Sequence, residues 1–209
     1  MSLVIEHLTA AYDGYPVFQQ FSLVISSSVP TGIVGPNGVG KTTLMKAIMS
    51  LIPAKTGKIT FQGLDITHLR SYEIVTRGLT LIPEGRQIFT KMTVRENLEV
   101  GAYTLGSSSE IKRKLSNMYD LFPLFYQRQN QYAGSLSGGE QQLLVIARGL
   151  MCDPKFLLID EPFLGLAPTG IEMVQRVLVD IHGRGVGLLI AEEDSKLLSG
   201  VTEKIHTMN

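Results

Sequence analysis

The segment Gly35–Thr43 contains the residues whose types and spacing have the clearest chemistry in this sequence. Gly35 and Gly40 bracket four residues, and Lys41 and Thr42 follow, which gives the pattern GxxxxGK[ST]. Glycines let a backbone wrap closely enough to direct N–H groups at phosphate oxygens, the lysine reaches the β- and γ-phosphates, and the threonine hydroxyl ligates Mg²⁺. The segment predicts a nucleoside triphosphate site made of Gly35, Pro36, Asn37, Gly38, Val39, Gly40, Lys41, Thr42 and Thr43.

Two carboxylates, Asp160 and Glu161, end the apolar run FLLIDE. The run predicts a buried strand that delivers both groups to the carboxyl edge of a parallel sheet, where ligands bind in such folds. We expect Asp160 to hold Mg²⁺ through water, and Glu161 to orient and deprotonate the attacking water while Lys41 stabilises charge on the phosphates. A merely solvated pair is the alternative, which the neighbouring phosphate segment disfavours.

The sequence SGGE, Ser137–Glu140, has the spacing of a capping box at the start of a helix. A cap does not require two consecutive glycines, which cost stability in a first turn unless something approaches closely. A polyphosphate at a helix N-terminus is such a group. The predicted nucleotide contacts are therefore Ser137, Gly138, Gly139 and Glu140, with a purely structural cap as the alternative.

The elements that must position these residues alternate between strands and helices, which predicts an α/β fold with a mostly parallel, covered sheet. The predicted strands are Leu3–Ala10, Phe18–Ile25, Thr31–Val34, Lys58–Phe61, Leu79–Ile82, Phe156–Ile159, Gly187–Ala191 and Lys204–Met208. Helices are predicted over Thr42–Leu51, from Thr93, from Gly138, and over about Thr169–His182. The last strand has no later segment to pair with, so we expect a truncated C-terminal end.

A helical insertion is predicted over about residues 85–135, between two core strands. The pattern there is helical and loop-like, and TVRE at Thr93–Glu96 has capping-box spacing.

Composition excludes several classes of protein. Nineteen acidic residues balance nineteen Lys and Arg, which gives no electrostatic case for a nucleic-acid partner. The one cysteine, Cys152, cannot form an internal disulfide, which indicates a reducing compartment. No apolar run approaches the ~20 residues of a membrane span, and Glu6 and His7 interrupt what would be a signal peptide. Any membrane role must therefore come from docking to a membrane protein.

The phosphate segment together with LSGGE, Leu136–Glu140, resembles the ATP-binding cassette family over nearly the whole chain. The resemblance implies one nucleotide-binding domain, residues 1–209, with a P-loop NTPase core, an N-terminal antiparallel β subdomain and an inserted helical subdomain. It implies ATP and Mg²⁺, with Tyr12 stacked on adenine unless that residue is an ordinary exposed tyrosine. It also implies a second ATP-binding subunit, paired head to tail so that the signature of one subunit closes over the ATP of the other.

Four longer segments of the sequence are similar to segments in the ATP-binding subunits of branched-chain amino-acid importers, namely GLDITHL, IPEGRQIF, MTVRENLEVGAY and EPFLGLAP. Urea and amide importers share much of the sequence of these segments. The resemblance implies an ATPase bound to transmembrane permease subunits at the cytoplasmic face of the membrane, and indirectly served by an extracytoplasmic substrate-binding protein. Glu84 would interact with Mg²⁺ or water unless it is a solvated turn residue, and residues 85–105 would form the permease-docking surface.

Three departures from the family pattern leave alternatives open. Glu193 stands where a catalytic switch histidine is usual, and an ionised carboxylate cannot donate to the γ-phosphate. Phe163 replaces a serine in the loop that crosses the dimer interface, and would alter pairing or pack against the partner. The family's C-terminal extension is missing. The alternatives are a catalytically weak partner in a heterodimeric pair and a non-transport ATPase of the same family.

Overall fold

The computed structural model describes residues 1–12 and 15–209, without the side chains of Tyr12, Tyr15, Ala54 and Lys55. Its strands are β1 (Ser2–Tyr12), β2 (Tyr15–Ser26), β3 (Thr31–Val34), β4 (Ala54–Phe61), β5 (Leu64–Asp65), β6 (Leu79–Ile82), β7 (Phe156–Asp160), β8 (Gly187–Glu192) and β9 (Lys204–Thr207). Its helices are α1 (Lys41–Ile48), α2 (Ser71–Thr76), α3 (Val94–Gly101), α4 (Ser108–Leu121), α5 (Pro123–Gln127), α6 (Gly138–Leu150) and α7 (Pro168–Gly183).

The N-terminal strands form an antiparallel sheet in the order β2-β1-β4-β5. Its apolar face meets helix α1 in one hydrophobic cluster, because Leu3, Ile5 and Leu8 of β1 pack with Leu44 and Ile48 of the helix. This sheet confirms the antiparallel β subdomain.

The second sheet is parallel, in the order β6-β7-β8-β3-β9. The expectation that the last strand lacks a partner was wrong. Strand β9 pairs with β3 at the edge of this sheet, with Lys204 opposite Thr31 and Thr207 opposite Val34. A parallel sheet places neighbours by crossover and not by chain order, so a late strand needs no later partner.

Strand β7 shows why this sheet is covered on both faces. Its alternate residues enter different clusters: Leu157 and Ile159 pack with α6 and α7, whereas Phe156 and Leu158 pack with α1 and the N-terminal strands. The period of two sends successive side chains to opposite faces, so a strand in the middle layer must be apolar throughout. The sheet is therefore packed on both faces, and loops project from its carboxyl edge.

Helices α3, α4 and α5 lie between β6 and α6, where the helical insertion was predicted. Buried Asn97 fixes the segment that leads into α3, because its Oδ1 accepts from the Phe89 N–H at 2.9 Å and its Nδ2 donates to the Phe89 carbonyl at 3.0 Å. The predicted capping box is confirmed at Thr93, whose N–H donates to Glu96 Oε2 at 2.7 Å. Across the residues that the structure describes, no helix is both long and apolar enough to span a membrane.

Candidate functional site

The carboxyl ends of four parallel strands carry the predicted catalytic residues to one edge of the sheet. Strand β3 leads into the phosphate segment, β6 is followed closely by Glu84, β7 ends at Asp160 and is followed by Glu161, and β8 is followed by Glu193. A cavity of about 400 Å³ at this edge is lined by Asn37, Gly38, Gly40, Lys41, Thr42, Thr43, Glu84, Glu161 and Leu164. The structure therefore brings Lys41, Thr42, Glu84 and Glu161 together at one cavity, and Asp160 lies beside it, within hydrogen-bond reach of Thr42.

The phosphate segment depends on glycine at two positions. Gly40 has φ 110°, where other residues are strained, and a Cβ there would lie 2.9 Å from Val17 Cγ1. A Cβ on Gly35 would lie 2.5 Å from the Met208 carbonyl oxygen. Helix α1 begins directly after Gly40, which has no side chain to cap it, so its first N–H groups remain available for phosphate oxygens.

Lys41 is buried, with 4% of its side chain exposed. Its ammonium donates to the Gly35 carbonyl at 2.7 Å and lies 3.5 Å from Glu161 Oε1. Two of the predicted catalytic groups thus form an ion pair at the end of the phosphate segment. Phosphate oxygens are stronger acceptors than neutral carbonyls, so the ammonium is well placed to bind them.

The residues predicted to hold Mg²⁺ fit that ion. Asp160 is buried, and its Oδ1 has no hydrogen-bond partner among the residues that the structure describes. Burial raises the pKa of Asp160, the Thr42 hydroxyl lowers it by donating a hydrogen bond, and the charges of Glu161 and Glu84 raise it further. An unpartnered buried carboxylate oxygen beside a hydroxyl suits a hard cation.

The predicted Mg²⁺ ligands of the chain need further ligands to complete the coordination of the ion. Among the described residues, no cluster of three His, Cys, Asp or Glu side chains is arranged to hold an ion. Mg²⁺ is commonly bound by one or two carboxylates together with substrate phosphates, so Asp160, Thr42 and Glu84 suit an ion that arrives with a nucleotide.

Glu161 has a strained backbone. Its φ is 46°, in the left-handed region, and its N–H donates to the Ala191 carbonyl at 2.9 Å. Strain of this kind costs about 1–3 kcal/mol and is found mainly where a function needs the geometry. Here it turns the chain away from β7 while the carboxylate stays beside Lys41.

Glu193 also reaches the phosphate segment. Its Oε2 accepts a hydrogen bond from Asn37 Nδ2 at 3.1 Å, although the two residues are distant in sequence. The position predicted to act as the switch therefore contacts the loop that would hold the phosphates, through an acceptor and not a donor.

The neighbouring Glu192 was missed by the sequence reasoning. It is 3% exposed, and its Oε1 accepts from the Phe163 N–H at 3.1 Å. The pKa of Glu192 is raised to about 7, mainly by burial and in smaller part by the charge of Glu161, while the Phe163 N–H and Lys41 oppose the rise. A carboxylate inside the apolar run of β8 was the available signal, but two adjacent glutamates at a strand end drew attention only to the second.

The signature residues lie outside the phosphate cavity. Ser137 and Glu140 form the predicted capping box, with the Ser137 N–H donating to Glu140 Oε2 at 2.9 Å. Glu140 Oε1 pairs with Arg128 at 3.1 Å, so both oxygens of this carboxylate are engaged inside the chain. Glu140 thus has a structural role, which leaves Ser137 and the two glycines as the groups able to face a phosphate.

Both signature glycines also have neighbours within the chain. A Cβ on Gly138 would lie 2.6 Å from Arg86 Nη1, and a Cβ on Gly139 would lie 3.1 Å from the Cα of Gly170 in helix α7. Close packing therefore contributes to the need for glycine here, beyond the approach of a phosphate.

The side chain of Tyr12, predicted to stack on adenine, lies outside the described residues. Phe163 was expected to alter pairing or to pack against the partner. It is instead only 2% exposed and packs into the cluster of α6 and α7 within its own chain.

Comparison with known proteins agrees with this geometry. The family described as ABC transporter matches residues 18–164. The chain is 30% identical over 206 residues to the high-affinity branched-chain amino acid transport ATP-binding protein BraG of Pseudomonas aeruginosa, covering 99% of the chain and 88% of that protein. It is 32% identical over 206 residues to the lipopolysaccharide export system ATP-binding protein LptB of Haemophilus influenzae, covering 98% and 85%.

Solved structures show the same fold. The crystal structure of a nucleotide-free ATP-binding cassette from an ABC transporter matches with a TM-score of 0.91 at 26% identity, covering 100% of this chain and 88% of that chain. Another cassette, in its ADP conformation, also gives 0.91, at 27% identity and with 100% and 87% covered.

Replacing Glu192 by Gln is expected to remove a pH dependence of stability. Because folding raises the pKa of this carboxyl from 4.5 to about 7, the folded state binds the proton more tightly, and wild-type stability falls as pH rises across that window. Glu192→Gln should match the wild type near the lower limit and be more stable by about 1–3 kcal/mol above the upper one. Urea unfolding of both proteins at several pH values measures this.

The matched control is Glu172→Gln, because Glu172 is an exposed glutamate on α7. Its stability difference from the wild type should be small at every pH. A Glu192→Gln difference that stays constant across the window would contradict the assignment of this titration to Glu192.

Proposed function

Because this chain belongs to the ABC transporter family and is an ATP-hydrolysing subunit of a transporter, we propose that it drives an importer for branched-chain amino acids or related amides or urea. The observation that carries the catalytic part is the convergence of Lys41, Thr42 and Glu161 on one cavity, with the buried Asp160 accepting a hydrogen bond from Thr42. The similarity to BraG and the importer-like segments of the sequence support amino acids or related compounds as the transported substrates. The equal likeness to LptB makes lipopolysaccharide export the competing assignment.

The residues divide the work of ATP hydrolysis. Lys41 and the first N–H groups of α1 bind and orient the phosphates, and Thr42 and Asp160 would hold Mg²⁺. When bound there, the cation neutralises part of the phosphate charge. Glu161 orients the attacking water and accepts its proton. Its strained backbone and its ion pair with Lys41 keep the carboxylate at the phosphate end of the cavity.

We further propose that two such subunits share their ATP sites. The signature face, Ser137–Gly139, belongs to a surface separate from the chain's own phosphate cavity, so a second subunit would supply the nucleotide that it contacts. The N-terminus of α6, where Ser137 is exposed and the helix carries a partial positive charge, suits a phosphate arriving from outside the chain.

An apolar groove of about 520 Å³ is the proposed docking site for the permease, at the cytoplasmic face of the membrane. It lies beside the segment after Glu84, and part of residues 85–105 lines it. Exposed apolar side chains are concentrated there: Leu51, Phe89, Val100 and Tyr103. A contiguous apolar groove of this kind is typical of a surface that receives a helix from a partner. The extracytoplasmic substrate-binding protein would act only through the permease.

A second candidate is a weakly hydrolysing subunit of a heterodimeric pair. The contact between Glu193 and Asn37 favours it, because a carboxylate beside the phosphate segment offers no hydrogen bond to a phosphate and repels it. Turnover by the purified chain alone separates the two functions. Appreciable hydrolysis by the homodimer excludes the weak-partner assignment, and turnover that appears only with a sister subunit supports it.

Glu161→Gln is expected to retain ATP binding and to lose turnover by roughly 10²–10⁴-fold. The amide can still orient a water but cannot accept its proton, and removing the negative charge beside Lys41 does not weaken phosphate binding. Nucleotide titration and steady-state ATPase assays measure the two effects. Glu172→Gln, on the exposed face of α7, serves as the matched control. Unchanged turnover in Glu161→Gln would remove Glu161 from this role.

Tyr103→Glu is expected to abolish co-purification with the permease while ATP affinity stays within about twofold. A charge in the groove must be desolvated on docking, whereas the phosphate cavity does not include this residue. Tyr126→Glu is the control, because Tyr126 is 61% exposed against 66% for Tyr103 and lies outside the groove. Retention of the permease by Tyr103→Glu, or its equal loss in both variants, would contradict this docking site.

A further inference from the structure

A cavity of about 290 Å³ lies at the amino ends of strands β7 and β8, opposite the edge that carries the phosphate cavity. Asp153 and Pro154 come just before β7, and Val186 comes just before β8. Helix α4 of the helical insertion lines it from one side, and the last residues of α6 and α7 line it from the core. We call it the amino-edge cavity. It shares no lining residue with the phosphate cavity.

The inner surface of the amino-edge cavity is apolar. Met118, Leu150 and Ile181 are buried members of the hydrophobic cluster that includes α6 and α7. Leu121 and Val186 are partly buried beside them. The volume is close to the lower limit of small-molecule sites, which span about 300–1,000 Å³. The cavity therefore suits a small ligand whose own apolar part covers this surface.

The lining also carries charges of both signs in equal number. Lys114 and Arg184 supply two cations, and Asp120 and Asp153 supply two carboxylates. A site for a simple anion needs an excess of positive charge, and a site for a metal cation needs an excess of carboxylates. Balanced charge around an apolar surface favours a ligand that carries both an anionic and a cationic group.

An ion pair inside the cavity has hydrogen-bonding capacity to spare. The Lys114 ammonium pairs with the Asp153 carboxylate, and 12% and 76% of the two side chains are exposed. An ammonium has three donors and a carboxylate has about four acceptor sites, so each group can hold a ligand while the pair persists. The small exposure of Lys114 limits its freedom, which makes it the fixed point of the site.

Two helices end at this cavity. Helix α6 ends at Leu150, whose carbonyl accepts from the Asp153 N–H at 3.1 Å, and α7 ends just before Arg184. The carboxyl ends of helices carry partial negative charge, which attracts a cationic group to the side of Asp153. Arg184 pairs with Asp180 in an exposed contact, and such pairs are weak enough for the guanidinium to turn to a ligand.

We propose that the amino-edge cavity binds a free α-amino acid with an aliphatic side chain. Lys114 and Arg184 would bind its carboxylate, and its ammonium would lie beside Asp153 and Asp120. Its side chain would cover the apolar surface. The choice of leucine as the probe rests on the proposed function, whereas the argument from charge and shape does not. The bound molecule would contact α4 and the ends of α6 and α7 together, and so hold the helical insertion against the core.

Isothermal titration of the full chain without nucleotide tests which groups of the ligand are recognised. We expect L-leucine to bind saturably at one site. 4-Methylpentanoate lacks the ammonium and 3-methylbutylamine lacks the carboxylate, so each should bind at least about tenfold more weakly. Glycine has both charged groups but leaves the apolar surface uncovered, and should also bind at least about tenfold more weakly.

Substitutions test the place of binding. Lys114→Gln, Arg184→Gln and Asp153→Asn should each weaken leucine binding by about tenfold, because each removes one charge from the cavity. Lys112→Gln on α4 and Arg176→Gln on α7 are the matched controls, since both residues are exposed and neither lines the cavity. Arg184 is itself exposed and Asn tolerates the left-handed backbone of Asp153, so those two variants should fold normally.

Amide hydrogen exchange gives an independent reading of the site. Leucine should slow exchange severalfold at residues 114–121 and 150–154, which line the cavity or adjoin it, and leave residues 35–43 unchanged. Slower exchange at residues 35–43 alone would place the ligand in the phosphate cavity and overturn the proposal.

Three further results would overturn it: no saturable binding of leucine up to about 10 mM, equal binding of leucine and either singly charged analogue, or unchanged affinity in all three cavity variants. None of these measurements uses ATP. Absence of leucine binding would therefore leave the proposed ATPase site standing, and absence of ATP turnover or transport of another substrate would leave the binding result to be decided by itself.

Discussion

The ion pair between Lys41 and Glu161 is the interaction around which the nucleotide edge is organised. Parallel pairing of β3, β7 and β8 carries several carboxylates to one edge, and the ammonium of Lys41 lies among them, 3.5 Å from Glu161. Repulsion among Asp160, Glu161 and Glu192 is therefore partly offset by this one group. The excess of negative charge explains why the edge suits a nucleotide that arrives with a divalent cation, and why backbone N–H groups must supply the remaining attraction for phosphates.

The chain also carries a second surface that its own nucleotide cavity does not use. Helix α6 presents Ser137 and two glycines at its N-terminus, and internal contacts hold that turn: Glu140 binds Arg128, and Gly139 packs against Gly170. The first turn is thus firmly placed before any partner is present. Pre-organisation of this kind lowers the entropic cost of association, which suits the proposed closure of this surface over a nucleotide held by a second subunit.

Patterns that depend on near neighbours in sequence were predictable, and contacts between distant segments were not. The phosphate segment, the two capping boxes and the apolar strand before Asp160 depend on spacings of a few residues, and the sequence contains those spacings directly. Strand β9 was misjudged because its partner, β3, precedes it by most of the chain. Glu192 was missed and Phe163 was misread because burial, and not residue type, decides what a side chain contacts. A glutamate inside an apolar strand was a visible anomaly, but only the fold reveals its partner.

The burial of Phe163 has a consequence for the evolution of partner choice. Because this aromatic side chain is buried in its own subunit, the side chains that the loop between β7 and α7 exposes are those of Leu164 and Ala167, which carry no charge and no hydrogen-bonding group. Such side chains specify the shape of a neighbour and not its identity. Selection for compatible neighbours would then act on loop length and on glycine positions. After gene duplication, two diverging copies would be able to keep pairing with each other while their outer surfaces change.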